Sequence, residues 1–240
     1  VSYNKMLERL SEAFKIQRQF TENAAHELRT PLSLMQIQLD LYNSGKHPGN
    51  DADTIQTIKM VTEQNERLSK MVKTLLDMSE LQTVGRDETI VVNALVDEVL
   101  ADLEPLAQEK NIKLTGKCKD INMVGSDILI YRLVYNLVEN AIKYNHSGGQ
   151  VIVEAYQKEK QVYLSVEDTG SGIPEELKER VFEPFFRVDK SRSRELGGVG
   201  LGLALVNEIV RVHDGSIAIR PNPSGGTIIE VQFAVNRTTA

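Results

Sequence analysis

The chain has 240 residues, 41% of them hydrophobic and 26% charged, which is ordinary for a globular protein and enough for one large or two modest domains. A formal net charge of −6 argues against a general nucleic-acid surface, and no nucleic-acid partner is expected. The single cysteine, Cys118, excludes an internal disulfide and suits a reducing compartment. No apolar run is long enough to span a bilayer, and opening on Val1 without a methionine, the sequence is expected to be a piece of a longer protein.

In chain order, Leu7, Leu10, Phe14, Gln17, Thr21, Ala24, Leu28, Pro31, Met35, Gln38 and Tyr42 follow alternating three- and four-residue steps. That spacing predicts a long helix with a bundle seam. Ser44-Gly45-Lys46-His47-Pro48-Gly49 reads as a helix stop. A second helix is predicted from near Asp53, with Ile58, Val61, Asn65, Leu68, Val72 and Leu75 continuing the seam. Two long helices and a short loop make an antiparallel hairpin. One hairpin cannot bury two apolar faces, so pairing with a second copy into a four-helix bundle is the expected solution.

The helical pattern ends near Thr83–Asp87, which divides the chain into 1–84 and 85–240. Short strands are predicted at Thr89–Val92, Ile112–Thr115 and Ile121–Val124, and longer ones at Val151–Tyr156, Gln161–Glu167, Ser216–Arg220 and Thr227–Phe233. Helices are predicted at Asn93–Lys110, Ile128–Tyr144 and Leu201–His213. This order gives an α+β layer, with helices on one face of a mostly antiparallel sheet.

Five segments carry residue types suited to chemistry. On the first helix, His26 has a carboxylate beside it in Glu27, a hydroxyl one turn later in Thr30, and then Pro31, which should bend or loosen that turn. Asn136 and Asn140 lie four residues apart and Lys143 three further on, so the three share a helix face. A carboxamide oxygen is a suitable hard ligand for Mg²⁺, and an ammonium can hold a phosphate. Asp168 closes a strand ahead of a turn containing Gly170 and Gly172, and a carboxylate there can accept from an exocyclic amine. Gly197, Gly198, Gly200 and Gly202 precede a helix whose N-terminus would favour an anion. Before them, Phe182, Phe185, Phe186 and Arg187 lead into the polar, basic run Lys190–Arg194, which reads as a lid. No P-loop, Rossmann fingerprint or eukaryotic-type kinase signature is present, and Thr30 stands where a zinc-protease motif needs its second histidine. His47, His146 and His213 show no ligand spacing and are expected at the surface or in packing.

Taken together, these segments resemble the histidine box and the N, G1, F and G2 boxes of sensor histidine kinases, in the family's order and over roughly residues 15–235. The resemblance implies a dimeric four-helix bundle followed by an α/β-sandwich ATP-binding domain of the Bergerat type. It implies ATP and Mg²⁺ as cofactors, His26 as the phosphorylated residue, and Glu27 as the carboxylate that fixes its tautomer. Asn140 would be the Mg²⁺ ligand, Lys143 and Arg187 phosphate contacts, Tyr144 a nucleoside neighbour and Asp168 the partner of the adenine amine. Gly198, Gly200 and Gly202 would cradle the triphosphate, with Asn136, Gly170, Gly172, Val188, Val199, Leu201 and Leu203 completing the nucleotide site. Thr30 would serve dephosphorylation of a response regulator, whose receiver domain is the implied partner beside the homodimer. The piece would be cytoplasmic, and the whole protein would sit in the bacterial cell membrane. Ala25 departs from the family, which commonly carries serine there. Hydrolysing relatives such as gyrase carry a glutamate where this chain has Asn136. A carboxamide cannot remove a proton from water, which favours a kinase over an ATPase. Below His26, Leu34, Ile37, Gln38, Leu41, Lys70, Lys73 and Thr74 are the expected docking residues for the regulator.

Overall fold

The computed structural model describes residues 2–43, 51–81, 83–189 and 198–235. The expected helix stop at 44–49, His47 within it, the basic lid residues 190–194 and Gly197 lie outside the described residues. The chain forms two compact units. Of the described residues, one unit holds those up to Leu75 together with Gly198 and Val199, and the other holds the rest from Leu76.

The first unit is a helical hairpin of α1 (Ser2–Asn43) and α2 (Asp51–Glu80). Side-chain pairs one turn apart support α1, such as Arg18 with Glu22 at 2.9 Å and Gln36 with Asp40 at 2.8 Å. Helix α1 runs on through Pro31, whose ring is buried. Ala24, Leu28, Met35 and Gln38 are half-buried beside it on the expected seam. On α2 the expected seam splits. Val61, Leu68 and Leu75 are at least half-covered with Met71, which is fully buried, but Ile58, Asn65 and Val72 face solvent. Periodicity alone could not resolve this, because α2 carries two neighbouring apolar rows that share the same spacing. The outward row, Ile55, Ile58, Val72 and Leu76, is 45–65% exposed and falls within about 100° on the helix. The expected α1 seam splits too: Phe14, Gln17, Thr21 and Tyr42 are exposed, and Phe14 and Tyr42 join Leu32 and Leu39 in a similar outward row.

The last turn of α2 packs with the second unit: Leu81 is part of its core, Met78 lies against it, and Asp77 pairs with Arg132 at 2.9 Å. That unit runs β1 (Glu88–Val91), α3 (Val92–Glu109), β2 (Lys113–Cys118), β3 (Asn122–Gly125), α4 (Asp127–Lys143), β4 (Gln150–Lys158) and β5 (Gln161–Asp168). Two short turns, Glu175–Leu177 and Arg180–Phe182, precede α5 (Gly202–Val212), β6 (Ser216–Pro221) and β7 (Thr227–Ala234). The main sheet has the order β2-β4-β5-β7-β6, with β2 parallel to β4 and the other pairs antiparallel, while β1 and β3 form a separate antiparallel pair. Alternate residues face one core: Val151, Val153 and Ala155 on β4, Val162, Leu164 and Val166 on β5, and Ile229, Val231 and Phe233 on β7. They meet the apolar faces of α3, α4 and α5, such as Val99, Leu133, Leu137 and Val206. On the other sheet face Tyr156 stacks on Tyr163 with ring centres 5.0 Å apart.

Helix α4 is fixed from several sides. The Asp127 N–H donates to Glu88 Oε2 on β1 at 2.9 Å. The Ser126 N–H donates to Nε2 of the buried His213 at 3.1 Å, so the ring proton sits on Nδ1 and bonds the Ile209 carbonyl at 2.8 Å. His213 therefore packs, as expected, and ties the start of α4 to the end of α5.

Candidate functional site

In the hairpin, His26 is exposed on α1 and Glu27 is half-buried. Glu27 Oε2 lies 3.7 Å from the Arg67 guanidinium on α2. The Thr30 hydroxyl donates back to the His26 carbonyl at 3.2 Å, the local bond open to a threonine inside a helix. The three residues of the histidine box thus lie on one stretch of α1, with the acceptor ring toward solvent. Of the expected docking residues, Leu34, Ile37 and Leu41 are exposed apolar side chains, while Gln38 is half-buried.

In the second unit, the N-box side chains come from α4. Asn136 donates from Nδ2 to the Arg132 carbonyl at 2.7 Å, leaving its oxygen toward the start of α5. Asn140 lies one turn on, half-buried, and its carboxamide makes no hydrogen bond among the described residues. Lys143 is ion-paired with Glu139 at 2.9 Å, with both side chains mostly buried. To meet a phosphate it would have to share or leave that pair.

Asp168 ends β5 under close restraint. Its Oδ1 accepts from the Gly170 N–H at 2.7 Å and the Thr227 N–H at 3.3 Å, and Asn222 Nδ2 donates to its carbonyl at 2.8 Å. Among the described residues no donor lies on Oδ2. Burial raises the Asp168 pKa, and the two N–H bonds offset this in part. Tyr144, closing α4, accepts the Ser171 N–H on its carbonyl at 3.2 Å, bringing the N-box end to the glycine turn that holds Gly170 and Gly172. Beside it, buried Asn145 donates to the Gln150 carbonyl at 3.1 Å and accepts from the His146 N–H at 3.0 Å and the Thr169 hydroxyl at 3.2 Å. Sequence reading did not single out Asn145, Thr169, Asn222 or Thr227. The Gly148-Gly149 turn was the one local hint for Asn145. Asn222 and Thr227 reach Asp168 from 54 and 59 residues away, which no local pattern marks.

The F and G2 segments meet at their backbones. The Phe185 N–H donates to the Gly200 carbonyl at 2.7 Å. Gly200 has φ +78°, and a Cβ there would lie 2.7 Å from the Phe186 carbonyl oxygen, so only glycine fits. The Arg180 guanidinium sits 4.4 Å over the Phe186 ring. Arg187 is half-buried and Val188 exposed. Leu201 is buried and Leu203 packs against the core, so any nucleotide contact from them would come from the backbone. Gly202 opens α5 against Asn136 and Asn140. Gly198 and Val199 belong to the first compact unit, and their place in a phosphate cradle stays an expectation of the sequence.

Among the described residues, an open carboxylate oxygen on Asp168, an unengaged carboxamide on Asn140 and a helix N-terminus at Gly202 make a set of polar groups that fits a purine nucleotide with its metal. Asn140 would supply one hard oxygen to Mg²⁺, and phosphates and water the remainder.

Comparison with known proteins agrees with this set. Residues 16–84 match the His Kinase A (phospho-acceptor) domain, and residues 125–237 match the Histidine kinase-, DNA gyrase B-, and HSP90-like ATPase family. The chain is 34% identical over 241 aligned positions to the signal transduction histidine-protein kinase ArlS of Staphylococcus aureus, covering 97% of this chain and 52% of the relative. It thus spans about half the length of the curated relatives it matches. Among solved structures, the Acinetobacter baumannii histidine kinase AdeS superposes with a TM-score of 0.72 at 25% identity, over 88% of this chain and 98% of that one. The histidine kinase ThkA, solved in complex with the response regulator protein TrrA, gives 0.76 at 25% identity over 98% of this chain and 66% of that one. With a phospho-acceptor hairpin followed by an ATPase-type sheet domain, this chain belongs to the sensor histidine kinases.

Proposed function

We propose that this chain is an ATP-dependent protein-histidine kinase. It autophosphorylates His26, passes the phosphoryl group to an aspartate of a response regulator's receiver domain, and also promotes removal of that phosphate. Residues 1–84 serve dimerisation and phosphotransfer, and 85–240 bind ATP. The second copy covers the outward rows of Ile55, Ile58, Val72 and Leu76 and of Phe14, Leu32, Leu39 and Tyr42, which are too large and apolar to leave in water. The whole protein is held at the cell membrane by a part outside this sequence.

The observation that carries the kinase reading over hydrolysis is Asn136. Its amide is bonded to the Arg132 carbonyl, and its oxygen has no basicity with which to activate water. ATP is therefore kept for the imidazole. Asp168 Oδ2 accepts the adenine amine, while the α5 N-terminus and the Gly200–Gly202 backbone face the phosphates. Asn140 would hold Mg²⁺, which would supply neutralisation of the charge on the transferred group. His26 attacks the γ-phosphorus through one ring nitrogen, the bond from that phosphorus to the β,γ-bridging oxygen breaks, and ADP leaves with that oxygen. Glu27 takes a hydrogen bond from the other ring N–H, which fixes the tautomer and stabilises the positive charge that develops. Exposure of His26 lets it meet ATP and regulator in turn.

Incubation with γ-labelled ATP and Mg²⁺ tests the reading. Stable label on the protein, lost to acid and kept in base, supports it. Rapid phosphate release without label favours an ATPase, and label on the His26→Gln protein would remove His26.

A further inference from the structure

Adjacent residues on a helix point about 100° apart, so Glu27 cannot share the direction of His26 without help. The structure supplies a restraint from the other helix. Glu27 leans toward α2, where the Arg67 guanidinium meets Oε2 at 3.7 Å. The two side chains are only 16% and 27% exposed, so the pair is screened less than a surface ion pair. A carboxylate offers about four lone-pair sites over two oxygens, so an ion pair at Oε2 is compatible with accepting the imidazole N–H. Without an anchor, Glu27 would lose rotamer freedom each time it met the ring.

We propose that Arg67 is the positioning residue of the phosphoacceptor site. From α2 it aims the Glu27 carboxylate that orients His26. The proposal rests on the kinase reading above, and its reach is specific: the chemistry on α1 depends on a charge carried by α2. A shift in the packing of the two helices changes the aim of Glu27 without touching ATP.

The test uses the whole chain with Mg-ATP and the variants Arg67→Met, Arg67→Lys, Glu27→Gln and the double variant Arg67→Met with Glu27→Gln. Arg67→Met is expected to slow autophosphorylation by roughly tenfold or more, the size of a misaimed catalytic group, with nucleotide affinity, dimer mass and melting temperature unchanged. Arg67→Lys keeps the charge and recovers most of the rate. In the double variant, the Arg67 change adds no further loss to that of Glu27→Gln. Additive losses, or an equal loss in Arg67→Lys with lowered melting, would show a merely structural arginine and overturn the proposal. A Glu27→Gln protein labelling at the parental rate would overturn it too. Failure of the kinase reading looks different: the parent takes no label, or label survives His26→Gln.

Discussion

Gly202 stands so close to Asn136 that a Cβ at position 202 would lie 2.9 Å from Asn136 Oδ1 and 3.5 Å from Asn140 Nδ2. The first residue of α5 and the two N-box amides therefore occupy their places jointly. Gly202→Ala would press directly on Asn136. Overpacking of this kind costs about 1–3 kcal/mol. Nucleotide affinity by titration calorimetry is expected to fall about tenfold or more, with a smaller drop in the melting temperature of the sheet domain.

Asp168 gives a trade between stability and binding. Burial raises its pKa from the usual 3.8, so its ionised form is the disfavoured one in the fold. A raised carboxyl contributes stability that is complete below the unfolded value and is lost as pH rises through the folded one. At neutral pH the parent therefore carries a penalty that Asp168→Asn removes, while the amide oxygen still accepts from Gly170 and Thr227. The variant is expected to melt higher than the parent at pH 7, with the gap closing as pH falls toward 4. Its ATP binding is expected to be lost. Thermal melts across pH, with and without nucleotide, check both halves.

Asn140→Asp keeps an oxygen ligand but sets a negative charge beside the phosphates. Nucleotide affinity measured with and without Mg²⁺ is expected to show a weaker metal dependence. An unchanged dependence would remove Asn140 as the ligand.

Thr30→Ala removes the γ-methyl and the hydroxyl, whose present bond is to the His26 carbonyl. On the proposed function autophosphorylation uses the His26 ring and not this hydroxyl, and it is expected to stay within a few-fold of the parent. If the hydroxyl orients water toward the regulator's aspartyl phosphate, regulator phosphate decays markedly more slowly with the variant. Equal decay by both proteins would take Thr30 out of the reaction.

The face bearing Leu34, Ile37 and Leu41 is exposed, and Lys70 and Lys73 lie exposed on α2. Reversing the charge of both lysines is expected to change transfer to the regulator and spare autophosphorylation. Loss of both activities together, with a lower melting temperature, would make the residues structural.

Much of this was legible in the chain itself. Strands such as β4 and β5 alternate apolar and polar residues between turn signals, so their expected limits fell within two residues of the observed ones. The N-box amides and Asp168 were legible because each lies on one short element. Other features depended on the fold. The turns at Glu175–Leu177 and Arg180–Phe182 have three residues each, too few to carry an apolar period. The split of α2 into inner and outer rows depends on what lies opposite, and Arg67 meets Glu27 only because the hairpin closes. The supports of Asp168 come from a distant strand and turn.

The two exposed apolar rows of the hairpin also set how the molecule responds to dilution. A bundle completed by a second copy gains its stability by mass action, so its melting point falls as concentration falls. The sheet domain closes its core within one chain, and its transition is indifferent to concentration. Heating at several concentrations is therefore expected to yield one transition that moves and one that stands still. A substitution at Ile58 or Val72 displaces only the moving one.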